Sequence, residues 1–164
     1  MQVTKRYLLY VLLIFCGLYL NTFSQQVDTE LKELSTGADV ILTGKVTQQA
    51  SSWNENKTKI YTQATIQVDE YIKGIGTGNT VTVKYPGGEV GEIGEKYSHM
   101  PRFEDKEDVL VFLKKDEKSA DYKVYNGING KISVINDFKT GEKVTTSNVQ
   151  INSLKAQIKS YLND

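Results

Sequence analysis

Lys59-Ile60-Tyr61-Thr62-Gln63-Ala64-Thr65-Ile66-Gln67-Val68-Asp69 alternates without a break. On an extended chain, Ile60, Thr62, Ala64, Ile66 and Val68 share one side, and Tyr61, Gln63, Thr65, Gln67 and Asp69 share the other. One side is apolar and the other polar, which is the pattern of an antiparallel strand with one wet face. Working outward, the same period holds from Ala38: Val40, Leu42, Gly44 and Val46 lie on one face, and Ile41, Thr43, Lys45 and Thr47 on the other. Between the two strands, Ser51 to Lys57 (SSWNENK) is polar and predicts a loop. Downstream, Thr80 to Tyr85 resumes strand, and Pro86-Gly87-Gly88 predicts a turn. Gly91 and Gly94 loosen the next segment, and Met100-Pro101-Arg102-Phe103 is irregular. Asp108 to Lys115 (DVLVFLKK) is nearly all apolar and predicts a central strand buried on both faces. Tyr122–Tyr125 and Lys131–Ile135 predict strands around Gly127-Ile128-Asn129-Gly130, and Lys143–Thr145 a short last one.

Helical spacing occurs only at the two ends of this region. Val27, Leu31 and Leu34 predict a short helix, with Asp28 as cap and Gly37 as stop. Leu154, Ile158, Tyr161 and Leu162 predict a C-terminal amphipathic helix capped by Asn152 or Ser153. Many short strands with peripheral helices indicate an all-β barrel or sandwich, with helices covering open ends or edges. No repeat, linker or low-complexity tract interrupts it.

The chain has 164 residues, 39% hydrophobic and 24% charged, with net charge +0, one Cys and one His. The balanced charge argues against a nucleic-acid surface. One Cys excludes an intramolecular disulfide framework, and one Cys with one His excludes the usual Cys/His zinc sites. Lys5 and Arg6 precede an uncharged apolar run, Tyr7 to Leu20, followed by Asn21-Thr22-Phe23-Ser24. This order predicts a signal peptide over residues 1–24, cleaved after Ser24, and one domain over residues 25–164. The run is short for a membrane span, so no stable span is expected after cleavage. Bulky Phe15 before Cys16, with apolar residues still to come, argues against lipid attachment there. Cleavage removes Lys5 and Arg6, leaving 18 Lys+Arg against 20 Asp+Glu and a net charge of −2. The expected address is secreted or periplasmic.

Several stretches in order carry a family resemblance over roughly residues 37 to 160. They include Ala38-Asp39-Val40-Ile41 with Gly44 and Val46, Ile60-Tyr61-Thr62, Lys73-Gly74, Pro86-Gly87-Gly88, and Asp108 to Leu113. Trp53, Gly91, Pro101 with Phe103, and Gly127 to Lys131 followed by Val134 belong to the same order. Their succession resembles an uncharacterised secreted bacterial domain sometimes found beside matrixin-like zinc proteases. The opening and the Tyr71-Ile72-Lys73-Gly74 end of the second strand are also similar to tissue inhibitors of metalloproteinases and netrin-like modules. That similarity implies an OB-like, partly open antiparallel barrel with short terminal helices. It does not imply zinc-chelating inhibition. Those inhibitors chelate through an N-terminal Cys, whereas Gln25 begins the expected mature chain, and no H-E-x-x-H occurs.

Few chemical constellations are present. Glu92, Glu95 and His99 match no established ligand spacing. Glu104, Asp105, Glu107 and Asp108 lack the EF-type order, and Lys106 interrupts them. Pro86 to Gly91 lacks the phosphate-loop pattern. Ser98 and His99 are adjacent and diverge on a strand. No enzyme activity, metal or cofactor is therefore expected. The expected function is a non-enzymatic module that binds an unknown protein or glycan of the envelope or secreted fraction, with no nucleic acid. The alternative is a protease-associated accessory or inhibitor protein. Residues 51–57 and 86–103 are the expected contact surface, through Trp53, Asn54, Tyr85, Glu89, His99 and Arg102. Trp53 offers apolar area with a polar edge, suited to a sugar or a protein, or else it plugs the barrel end.

Overall fold

The computed structural model describes residues 29–163, apart from Thr77 and Lys118. The expected signal peptide and its cleavage point lie outside the described residues, as do Val27 and Asp28. The chain divides into two compact units, Met1–Glu33 and Leu34–Asp164. Of the first unit, residues 29–33 are described and are helical; the helix, α1, runs on to residue 37. The second unit is the β domain.

Among the described residues nine strands form it: β1 (Val40–Trp53), β2 (Ile60–Lys73), β3 (Thr80–Pro86), β4 (Gly88–Val90), β5 (Ile93–Glu95), β6 (Asp108–Lys115), β7 (Tyr122–Val124), β8 (Lys131–Asn136) and β9 (Lys143–Thr145). Helix α2 (Ile151–Asn163) closes the chain. The main sheet has the order β1-β2-β3-β7-β6-β8-β9, and β1 also pairs with β6. The ring β1-β2-β3-β7-β6 therefore closes into a five-stranded OB-like barrel. Its weakest seam is β3–β7, which is parallel and bridged at Val83↔Tyr122. β7 and β8 share one edge of β6: β7 pairs along Leu113–Lys115 and β8 along Asp108–Val111. A 3-10 turn, Gly127–Gly130, joins them. An antiparallel barrel was the sequence expectation. The one parallel contact arises because β7 leaves β6 antiparallel and meets β3 from the other side.

The interior matches the alternation. Val40, Leu42, Val46, Ala64, Ile66, Val81, Val83, Val109, Val111 and Leu113 pack in one buried cluster with Tyr85 and Phe103. β6 is buried on both faces, as its apolar run predicts, because Leu110 and Phe112 on the outer face are also fully covered. Burying such side chains supplies ~1.5–3 kcal/mol each, which drives closure without disulfides. Helix α2 packs on β2 and β9 and turns Ile151, Leu154 and Ile158 inward. No helix among the described residues is long and apolar enough to cross a membrane.

Other details also differ from the sequence expectation. Ser51–Trp53 are strand, and the loop shrinks to residues 54–59, because the β1–β2 ladder continues to Trp53↔Ile60. A register shift between Val46 and Gln48 changes the phase of β1. Beyond it Gln49, Ser51 and Trp53 are half-buried, while Gln48, Ala50 and Ser52 are exposed. Helix α2 begins before its expected caps: the Leu154 N–H bonds the Gln150 carbonyl at 3.1 Å, so Asn152 and Ser153 lie inside the first turn.

Candidate functional site

The end of the barrel where β1 and β3 finish and β2 begins carries a cleft of about 390 Å³. One wall is the β4–β5 hairpin, which lies against β1 and β2. Three contacts hold the hairpin there. The Gly87 N–H donates to the Ile60 carbonyl at 2.8 Å. Thr62 Oγ1 donates to the Gly87 carbonyl at 2.6 Å. The Ile60 N–H donates to Glu95 Oε2 at 3.1 Å. Thr62 has spent its proton on Gly87, so Ser51 Oγ donates to Thr62 Oγ1 at 2.9 Å. Gly88 presses on this hydroxyl pair: with φ 128° and Ser51 and Thr62 where a Cβ would stand, only glycine fits. The sequence predicts a turn at Pro86-Gly87-Gly88. The chain instead passes from β3 into β4 through one non-strand residue, and reverses at Gly91-Glu92.

The opposite wall is Pro101–Asp105. Pro101 and Phe103 are buried, and Arg102 between them is exposed. Lys131 Nζ donates to the Arg102 carbonyl at 2.7 Å and to Glu107 Oε1 at 2.6 Å, and sits 5.3 Å over the Phe103 ring. Ser133 Oγ also donates to Glu107 Oε1, at 2.6 Å. Both ions of this pair are nearly enclosed, with side chains 10% and 13% exposed. The floor is Tyr85, whose ring lies 5.5 Å from Phe103 and whose hydroxyl donates to Gln49 Oε1 at 3.0 Å. Burial pushes the Tyr85 phenol above its ordinary pKa.

Of the expected contact residues, Tyr85, Glu89 and Arg102 line this cleft together. The Arg102 guanidinium and the Glu89 carboxylate face each other loosely across 3.9 Å, both exposed. Trp53 and Asn54 line a separate groove with Tyr61 and Lys84. Trp53 is half-buried and stands outside the core cluster, so it does not plug the barrel. His99 is exposed, edge-on to Tyr97 at 6.3 Å, and its carbonyl accepts the Ile128 N–H at 3.0 Å. Tyr97 lines the cleft, so His99 stands at its rim. A third pocket joins cleft and groove: it shares Tyr85, Pro86 and Met100 with the first and Tyr61 and Lys84 with the second. The result is one continuous band around this end of the barrel.

Four of the acidic residues singled out in the sequence have structural partners. Glu95 accepts from Ile60 N–H and from the Tyr97 hydroxyl at 3.2 Å. Glu107 accepts from Lys131, Ser133 and the Glu104 N–H. Asp105 accepts from Gln49 at 3.1 Å, and Asp108 faces Lys45 and Lys143, each at 3.4 Å. Among the described residues no group of three or more His, Cys, Asp or Glu side chains is placed to hold a metal ion. The link of Lys131 and Ser133 to Glu107 is the wall-building contact that sequence reasoning missed. These residues lie on β8 and just before β6, and no local pattern couples them. A comparison with protein families and with curated proteins finds no match.

Proposed function

We propose that this chain is a small exported, non-enzymatic module that binds another macromolecule through the cleft around Arg102. The observation that carries this reading is the presentation of Arg102. Its neighbours Pro101 and Phe103 are buried, its carbonyl is tied to Lys131, and its guanidinium is exposed above the cleft with a loose partner in Glu89. A long cation on an ordered backbone loses less entropy on binding, and arginine is a frequent centre of binding energy at interfaces. The positive, apolar and small-residue order of residues 1–24 supports export.

The test is retention. The immobilised protein is exposed to envelope and secreted fractions of its own source, beside an Arg102→Ala variant. Arg102→Ala should leave the thermal melt unchanged, because the side chain is exposed, and should reduce retention of a specific component by about tenfold or more. The same components on both columns would remove Arg102 from the contact and overturn this reading. A retained metalloprotease whose activity falls on binding would identify the partner as a protease.

A further inference from the structure

We propose that the groove beside Trp53 is a saccharide site. It measures about 430 Å³, within the range of small-ligand sites, and it is open to solvent. Two aromatic residues, Trp53 and Tyr61, line it. The rest of the lining is polar: Ser52, Asn54, Glu55, Asn56 and Lys84. Glu55 and Lys84 cancel, so the groove has no net charge to draw a phosphate or a strongly ionic partner. A mostly polar lining is equally ill suited to an apolar peptide side chain. A sugar ring matches both halves of this lining. Its C–H face is apolar enough to lie on the indole ring, and its hydroxyls bond amide, hydroxyl and charged side chains beside it.

The groove is preorganised. Trp53 pairs with Ile60 at the last step of the β1–β2 ladder. Asn54 then ties the loop: its Oδ1 accepts the N–H groups of Thr58 at 2.7 Å and Lys59 at 3.1 Å, and its backbone N–H donates to the Lys59 carbonyl at 2.8 Å. Lys84 Nζ sits 5.3 Å over the Tyr61 ring, which orders both side chains. Asn54 is thus a positioning residue, and Asn56, Ser52 and Lys84 are the groups that face a ligand. The inference goes beyond the Arg102 contact and does not require it. A chain that held a glycan and no protein would keep this site and lose the other.

Trp53 is the single tryptophan of the chain, so its emission reports the groove alone. The protein is screened on a printed array of microbial and extracellular glycans. It is then titrated with the glycan retained, beside N-acetylglucosamine tetramer and cellotetraose. The expected result is retention of at least one glycan, a saturable change in Trp53 emission, and protection of Trp53 from acrylamide quenching. Trp53→Ala should weaken that binding about tenfold or more. If Trp53→Ala does not fold, acrylamide protection in the unaltered chain decides. The proposal is overturned if the folded protein retains no glycan on the array. It is also overturned if a glycan binds without changing Trp53 emission. A protein ligand lost on Trp53→Ala, with no glycan bound, would reassign the groove to that protein.

Discussion

The cleft wall Pro101–Asp105, braced by Glu107, and helix α2 both use lysine–glutamate contacts, and they use them in opposite ways. In the wall, Lys131 and Glu107 are almost enclosed, 2.6 Å apart, and are tied further to Ser133 and the Arg102 carbonyl. On the helix, Lys155 and Lys159 meet Glu70 at 2.8 and 3.0 Å on the surface, with the glutamate side chain 39% exposed. The helix has a regular backbone, internal hydrogen bonds and an apolar face of Ile151, Leu154 and Ile158. Its ion pairs are additions to a structure that already holds. The wall has no regular strand or helix of its own: two backbone bonds tie its end to β1, from the Lys106 N–H to the Val46 carbonyl at 2.9 Å and from the Val46 N–H to the Glu107 carbonyl at 2.8 Å, and the buried pair braces the rest. The lesson is that charge is structural where regular secondary structure is missing.

That contrast can be broken most strongly at Lys131. Lys131→Met leaves Glu107 nearly buried without its cation and frees the Arg102 carbonyl. It should lower the unfolding free energy by about 3–5 kcal/mol in denaturant titration. Amide exchange in residues 102–107 should accelerate beyond that of α2. A loss below about 1 kcal/mol would mean that the wall stands without the pair.

A smaller effect is expected from the facing wall. Gly88→Ala puts a methyl group against Ser51 and Thr62 at a φ that only glycine takes easily. The cost should be about 1–3 kcal/mol. Because the strain sits where β4 docks, the β4–β5 hairpin should loosen before the barrel does. Retention through Arg102 should then fall while the far-ultraviolet dichroism stays β-rich. An unchanged melt would show that β4 shifts freely and is not clamped.

The smallest effect is on α2. Hydrogen bonds from Lys155 and then Lys159 hold the Glu70 carboxyl below its ordinary value of 4.5. A folded-state pKa below the unfolded one gives stability that is present above pH 4.5 and lost as pH falls through the folded value. Glu70→Gln should therefore cost ~0.2–1 kcal/mol at pH 7, a figure already reduced for a surface pair. The difference between variant and parent should vanish at low pH and shrink in high salt. An equally large difference at pH 2 and pH 7 would assign Glu70 a packing role instead.

Seven of the strands were legible in the residues, whereas β4 and β5 fall in the Gly-rich segment that the sequence marks as turn and loose chain. The alternation over Ile60–Val68 placed the inner face of β2 correctly, and the apolar run of β6 announced burial on both faces. These signals are local: burial of one face, or both, writes a period into consecutive residues. The register shift after Val46 left no such trace, because the residues that follow, Gln48 to Ser52, are polar or small on both faces. Trp53 was therefore visible as a candidate, but its place in a ladder rather than a loop was not.

The sequence by itself determined an all-β domain with helices at its ends, the inner and outer faces of its long strands, and Arg102 and Trp53 as candidate contacts. Tertiary structure alone decided that β3 and β7 meet in parallel to close the ring, and that Glu95 clamps a hairpin. It also decided that Lys131 reaches back 24 positions to Glu107. The reason is physical. Side-chain periodicity follows from backbone geometry within a segment, whereas an ion pair or a barrel seam depends on where distant segments come to rest.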